Sequence, residues 1–240
     1  DVDYSSGDLE NVLTVLFDSN QSGFLAGAAA AYYTESEQGN ADKVIGFVGG
    51  TESVTVNNFL VGYAEGAKYV DPEIKILTAY VGDFMDTAKA KDLANAQISE
   101  GADVVFQVAG GAGNGVIEAA AEKDGVMAIG VDSDQYAALE GSDLQSAVMT
   151  SSLKLLNNAI FKICSDYVAD PESVPFGSTV TYGLAEDAVG IVFNDNLTAS
   201  IGEENVANVQ DILSKIQSGE ITVSAAGDLS DDELSAIVNG

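Results

Sequence analysis

The chain has 240 residues, 46% of them hydrophobic, and a formal net charge of −29 from 38 acidic side chains against nine basic ones, all of them lysine. Such a surface repels a phosphate backbone, which excludes nucleic acid as a partner. There is no histidine and one cysteine, Cys164, so the commonest general base, the commonest metal ligand and any internal disulfide are all missing, and neither cofactor nor metal is expected.

Short Val/Ile-rich runs and few prolines place the chain among folded proteins despite its acidity. β-branched runs alternate with helical segments, the pattern of a parallel sheet flanked by helices. The spacing predicts strands at Asn11–Phe17, Lys43–Val48, Ile74–Val81, Asp103–Val108 and Val126–Val131. Helices are predicted between them at Gly23–Tyr33, Ser53–Tyr69, Thr87–Ser99 and Gly113–Lys123, where apolar positions recur at three and four residues. Beyond Asp132 the pattern predicts a strand at Leu144–Thr150, a helix at Ser152–Val168, short strands at Thr179–Leu184 and Val189–Phe193, a helix at Glu203–Ser218 and a strand-like ITVS. Asp170–Pro175 reads as a loop and Ser230–Leu234 as a capped helical turn. Cys164, within the apolar run AIFKIC, is expected in the core. No run of about eighteen apolar residues predicts a membrane span, and DVDYSSGDLE lacks the layout of a signal segment.

Ligands of open α/β sheets bind outside the carboxyl ends of the strands, so the post-strand segments carry the candidates. Gly49 and Gly50, followed by TES, form either a tight turn or a backbone N–H platform at a helix start. In YVGDFMD, Phe84 is a large aromatic in a polar turn. It either packs on a planar ligand or folds back onto its own lobe. The turn GGAGNG, with Gly110, lacks the Lys-Ser/Thr of a phosphate loop and fits GxGxxG loosely; backbone approaches either a helix or a ligand there. Asp132 ends an apolar strand, where a carboxylate either accepts hydrogen bonds from vicinal sugar hydroxyls or caps a turn; Asp134 is assigned as the cap. Lys154, expected in the first turn of a helix against the macrodipole, either sits on a solvated helix face or donates to a base or carbonyl.

In order, SGFLAGAAAA, KVIGFVGG, FLVGYAEGAKYVDPEIKIL, FQVAGGAGNG, GVDSDQY and TSSLK resemble the basic membrane protein family of solute-binding lipoproteins, which includes purine nucleoside receptors. The resemblance extends to about Val192. It implies a type I periplasmic-binding-protein fold, with two Rossmann-like lobes joined by three crossings and a ligand in the cleft. It further implies that Phe84 stacks on a base, Gly110 lies against the ligand, Asp132 binds ribose hydroxyls and Lys154 reaches the base.

By the same resemblance, residues 1–38 and 140–182 form part of a first lobe and 39–139 and 183–240 the second. The first lobe would lack an N-terminal βαβα unit, with DVDYS as the end of a late strand. The implied role is non-enzymatic: extracytoplasmic capture of a nucleoside, a purine nucleoside by this reading, for an ABC permease, with membrane attachment only through a lipid anchor outside this chain. A type I receptor for a sugar or other small polar metabolite is the alternative. An enzyme is disfavoured by the lack of a nucleophile–base pair, and a DNA-binding regulator by the lack of a basic helix-turn-helix.

Overall fold

The computed structural model describes residues 9–40 and 42–240, so the strand end expected at DVDYS lies outside the described residues. Among the described residues, eight strands sort into two sheets. The smaller holds β1 (Thr14–Phe17) and β7 (Thr179–Tyr182), paired in parallel. The larger contains β2 (Val44–Gly49), β3 (Lys75–Tyr80), β4 (Val104–Val108), β5 (Met127–Asp132), β6 (Val148–Lys154) and β8 (Val189–Ile191). Its order is β3-β2-β4-β5-β6-β8, with only β8 antiparallel. The interior strands are buried on both faces, which is why they read as continuous apolar runs. Because β3 lies on one side of β2 and β4 on the other, the chain reverses direction across the sheet between β2 and β4, the place where open α/β sheets form a ligand crevice.

The helix α1 (Ser19–Thr34) is buried on nearly every face, as an alanine-rich segment apolar all round must be. It packs on α2 (Val54–Val70) and on α7 (Asp195–Gln217), and also against β6 and β8. Two glycines on each of α1 and α2, spaced four residues apart, set how closely these helices approach. A Cβ at Gly27 would overlap the carbonyl oxygen of Tyr63, and one at Gly62 that of Asn20; Gly23 faces Phe59 and Gly66 faces Phe24 in the same way. Beneath α2, Phe106 meets Tyr63 at 5.2 Å, Phe47 at 5.7 Å and Phe59 at 6.1 Å between ring centroids. Tilted and edge-to-face pairs like these add about 0.5–1.5 kcal/mol each beyond their burial.

Strand pairing divides the chain differently from the sequence-based expectation. Val148–Lys154 belongs to the larger sheet, and α1 packs on that sheet. Both segments therefore group with 39–139 rather than with 1–38 and 140–182. The chain passes between the two sheets at Asp18, at Leu155 and through 183–188.

The β6 segment also corrects the boundaries. Residues 145–147 form a short 3-10 turn, and the ladder runs on through Thr150, Ser151, Ser152 and Leu153, paired with β5. The buried hydroxyls find partners, Thr150 donating to the Val192 carbonyl at 2.6 Å and Ser152 to Ser22 Oγ at 2.8 Å. Lys154 thus ends a strand and does not oppose a helix dipole; the helix α6 (Leu156–Ala169) begins two residues later.

Cys164 is exposed, not in the core. It lies on α6, of which Ala159 alone is buried, while Phe161 and Val168 are 75% and 83% exposed. The periodicity of AIFKIC gives the apolar face of the helix but not whether anything covers it. The ITVS segment is not a strand: Asn20 Nδ2 donates to the carbonyls of Val223 and Ser224, and Glu65 accepts from Ser224 N–H, so side chains satisfy its backbone.

The helix expected at Glu203–Ser218 starts eight residues earlier and is broken at Gly202, whose φ of 82° is a left-handed value. The remaining helices are α3 (Thr87–Ser99), α4 (Asn114–Ala121), the single turn α5 (Gln135–Ala138) and α8 (Asp231–Asn239). Ser230 and Glu233 form the expected capping box on α8, which continues for two turns beyond the cap. Among the described residues, no helix is long and apolar enough to cross a membrane.

Candidate functional site

At the carboxyl edge of the larger sheet, the turns after β2, β3 and β4 are tied together by backbone bonds. Val81 and Gly82 N–H donate to the Gly49 and Gly50 carbonyls at 2.8 and 2.7 Å, and Gly50 N–H donates to the Val108 carbonyl at 2.9 Å. Above them is a cavity of about 380 Å³ lined by residues from five strand ends, among them Thr51, Phe84, Gly110, Asp132 and Lys154. The four residues singled out from sequence, Phe84, Gly110, Asp132 and Lys154, therefore converge on one space. Ser53, Thr55, Val56 and Phe59 on α2, with Val108 and Val131, complete the wall.

Local chemistry positions each group. In the loop after β3, Asp83 Oδ1 accepts from the backbone N–H of Met85 at 2.7 Å and of Asp86 at 2.8 Å, and these bonds hold its carboxyl below the ordinary value. The Phe84 carbonyl accepts from Ala112 N–H at 2.9 Å, so this loop is bound to the glycine turn. The ring packs against Gly50, where any Cβ would strike it, and a Cβ at Gly110 would come within 3.5 Å of its Cβ and Cδ1. Phe84 stays 42% exposed and lines the cavity. Gly110 has a φ of +56°, a conformation costly to residues bearing a Cβ.

Asp132 is strained. Its φ is +65°, and Ser133 N–H donates to the Val131 carbonyl at 2.8 Å, closing a three-residue turn around it. Left-handed backbone at a residue other than glycine costs about 1–3 kcal/mol and concentrates at functional sites. The turn leaves the carboxylate side chain 57% exposed at the cavity and 3.6 Å from Lys154 Nζ. Lys154 is mostly buried, and its ammonium also sits 5.7 Å from the centroid of the Phe17 ring, on the smaller sheet. The helix cap falls to Asp134, which accepts from Ala137 N–H at 3.0 Å. Asp132 is left for other work.

The α2 contribution was not legible. Ser53 accepts from Val56 N–H at 3.4 Å and starts the helix beside the cavity, as the TES segment suggests. Val56 and Phe59 look like ordinary core positions of an amphipathic helix; only the fold shows that they reach the cavity wall. Phe59 also packs on Phe106 and so joins that wall to the core.

Comparison with known proteins agrees with this architecture. A family model described as ABC transporter substrate-binding protein PnrA-like (Bmp) matches residues 2–226. The ABC transporter nucleoside-binding protein BmpA of Lactococcus lactis is 37% identical over 234 residues, 92% of this chain and 63% of the relative. Basic membrane protein D of Borreliella burgdorferi is 36% identical over 197 residues, 81% of this chain and 54% of the relative. The chain thus spans less than two thirds of the length of these curated relatives. Among solved structures, a solute-binding protein of an ABC transporter system from Aeropyrum pernix superposes with a TM-score of 0.76 at 23% identity, covering 95% of this chain and 72% of that one, a likeness of fold. With the fold, the cavity at the strand ends and a family match over nearly its whole length, the chain belongs to the Bmp family of PnrA-like ABC transporter substrate-binding proteins.

Proposed function

We propose that this chain carries the principal half of a nucleoside-binding cleft, in an extracytoplasmic receptor that hands a purine nucleoside to an ABC permease and is held at the membrane by a lipid anchor. The observation that carries the proposal is the convergence of one aromatic face, one carboxylate and one amine around a single cavity. Its volume falls within the range of about 300–1,000 Å³ common for small-molecule sites.

Phe84 offers a flat apolar surface to a base, backed by Gly50 and Gly110. Asp132 offers two acceptor oxygens to vicinal ribose hydroxyls, bonds made stronger by its charge. Lys154 supplies donors to a ring nitrogen or carbonyl, and its proximity to Asp132 orients the two groups together. The absence of histidine agrees with a site that binds and releases without bond-making. The smaller sheet and α6 fit the partial first lobe; the exposed apolar side of α6 supports that reading.

Mass spectrometry of small molecules released by denaturing the purified protein tests the ligand class. Nucleoside masses are expected. Release of a pentose or an acyclic metabolite in stoichiometric amount, with no nucleoside, would overturn the assignment.

A further inference from the structure

The strands β4 and β5 stop pairing at Phe106 and Ile129, although they run on to Val108 and Asp132. Their parting opens the cavity floor, lined by Val108 and Val131, and leaves backbone groups at the two strand ends in need of new partners. Two side-chain amides fill the gap. Gln107, fully buried, accepts from Ala109 N–H at 3.1 Å and donates from Nε2 to Gln135 Oε1. The same Gln135 oxygen accepts from Val131 N–H at 3.0 Å, and Gln135 N–H donates to Ser151 Oγ on β6 at 3.1 Å.

Two glycines make room for this relay. A Cβ at Gly113 would overlap Gln107 Oε1, and one at Gly130 would crowd both Gln135 Oε1 and Ser151 Oγ. The last glycine of GGAG and the glycine of AIGVD thus serve buried amides.

We infer that Gln107 and Gln135 are positioning residues that bridge the splayed ends of β4 and β5, fixing the strained Asp132 turn and the glycine turn at the spacing the ligand requires. Resting on the nucleoside reading, the inference assigns the relay to hydroxyl recognition. It holds the N–H of Val131, the residue before Asp132, directly, whereas Phe84 stands on another loop that meets the glycine turn only through Ala112. Only the oxygen of the Gln135 side chain takes part in these bonds, so glutamate at this half-buried position retains them.

Calorimetric titration of the intact protein tests this with Gln135→Met and Gln135→Glu, using the tightest-binding ribonucleoside and its 2′,3′-dideoxy analogue. Gln135→Met is expected to weaken the ribonucleoside about tenfold, consistent with loss of a buried acceptor. It should leave the dideoxy analogue within about twofold of wild type on the same scale, and Gln135→Glu should restore wild-type affinity. Equal weakening of both ligands, or no change in either, overturns the positioning role. Wild-type protein that binds neither ligand overturns the nucleoside reading, and this inference with it. Should Gln135→Met fail to fold, Ser151→Ala removes the next link; an unchanged preference for the ribonucleoside in that variant is equally fatal.

Discussion

Alanine at Gly27 or Gly62 is expected to be the most destabilising small substitution in the protein. Each new methyl group would meet a backbone carbonyl oxygen of the facing helix, of Tyr63 or Asn20. Backbone cannot rotate aside as a side chain does, so α1 and α2 must separate along their whole contact. Overpacking a close-packed interior costs about 1–3 kcal/mol, and a rigid backbone obstacle places these sites at or above the top of that range. Alanine's gain in helix propensity over glycine, about 1 kcal/mol, does not offset it.

For a domain of this size each kcal/mol shifts the melting temperature by about 2–4 °C. With about 2 kcal/mol left after that gain, a fall of about 4–8 °C or more is expected for either variant, read by thermal denaturation. Alanine at Gly190, where an added Cβ meets nothing within 4 Å, is the control and should change little. Equal melting temperatures for Gly27→Ala and Gly190→Ala would refute the helix-contact account.

The second large effect is on binding. Asp132→Ala removes the only carboxylate lining the cavity among the described residues and leaves Lys154 without that neighbour. Hydrogen bonds to charged groups contribute about 1.5–3 kcal/mol each. If Asp132 accepts from two ribose hydroxyls as proposed, its loss should weaken nucleoside binding about a hundredfold or more. Asp132→Gly separates chemistry from strain. It lacks the same carboxylate but accepts φ of +65° without penalty. Both variants should bind equally poorly, while the glycine variant melts at the higher temperature. Tight binding by Asp132→Gly would show that the carboxylate does not hold the ligand.

Much of the candidate site is legible in the sequence because the rule that places ligands at the carboxyl ends of parallel strands needs only strand ends, and these are marked by Gly, Asp and Asn. Phe84, Gly110 and Asp132 follow from that rule. Lys154 reaches the cavity at a strand end rather than a helix start: Ser151 and Ser152 extend the strand, their small side chains fitting the buried sheet, so the helix dipole has no part in placing it. The sheet to which Val148–Lys154 belongs was also hidden, since an apolar run specifies burial and not neighbours. Gln107 and Gln135 were missed because an amide inside a strand, or in the first turn of a short helix, has no periodic signal. The glycines Gly113 and Gly130 were the only local hints, and each also fits an ordinary turn.

The central claim is that the cavity at the ends of β2 to β6 holds a nucleoside. Isothermal titration of the intact, ligand-stripped protein with adenosine, guanosine, inosine and uridine tests it most directly. The account predicts saturable, one-to-one heat with at least one purine nucleoside, greatly reduced in Asp132→Ala. No heat with any of the four, from protein that melts cooperatively, would contradict it.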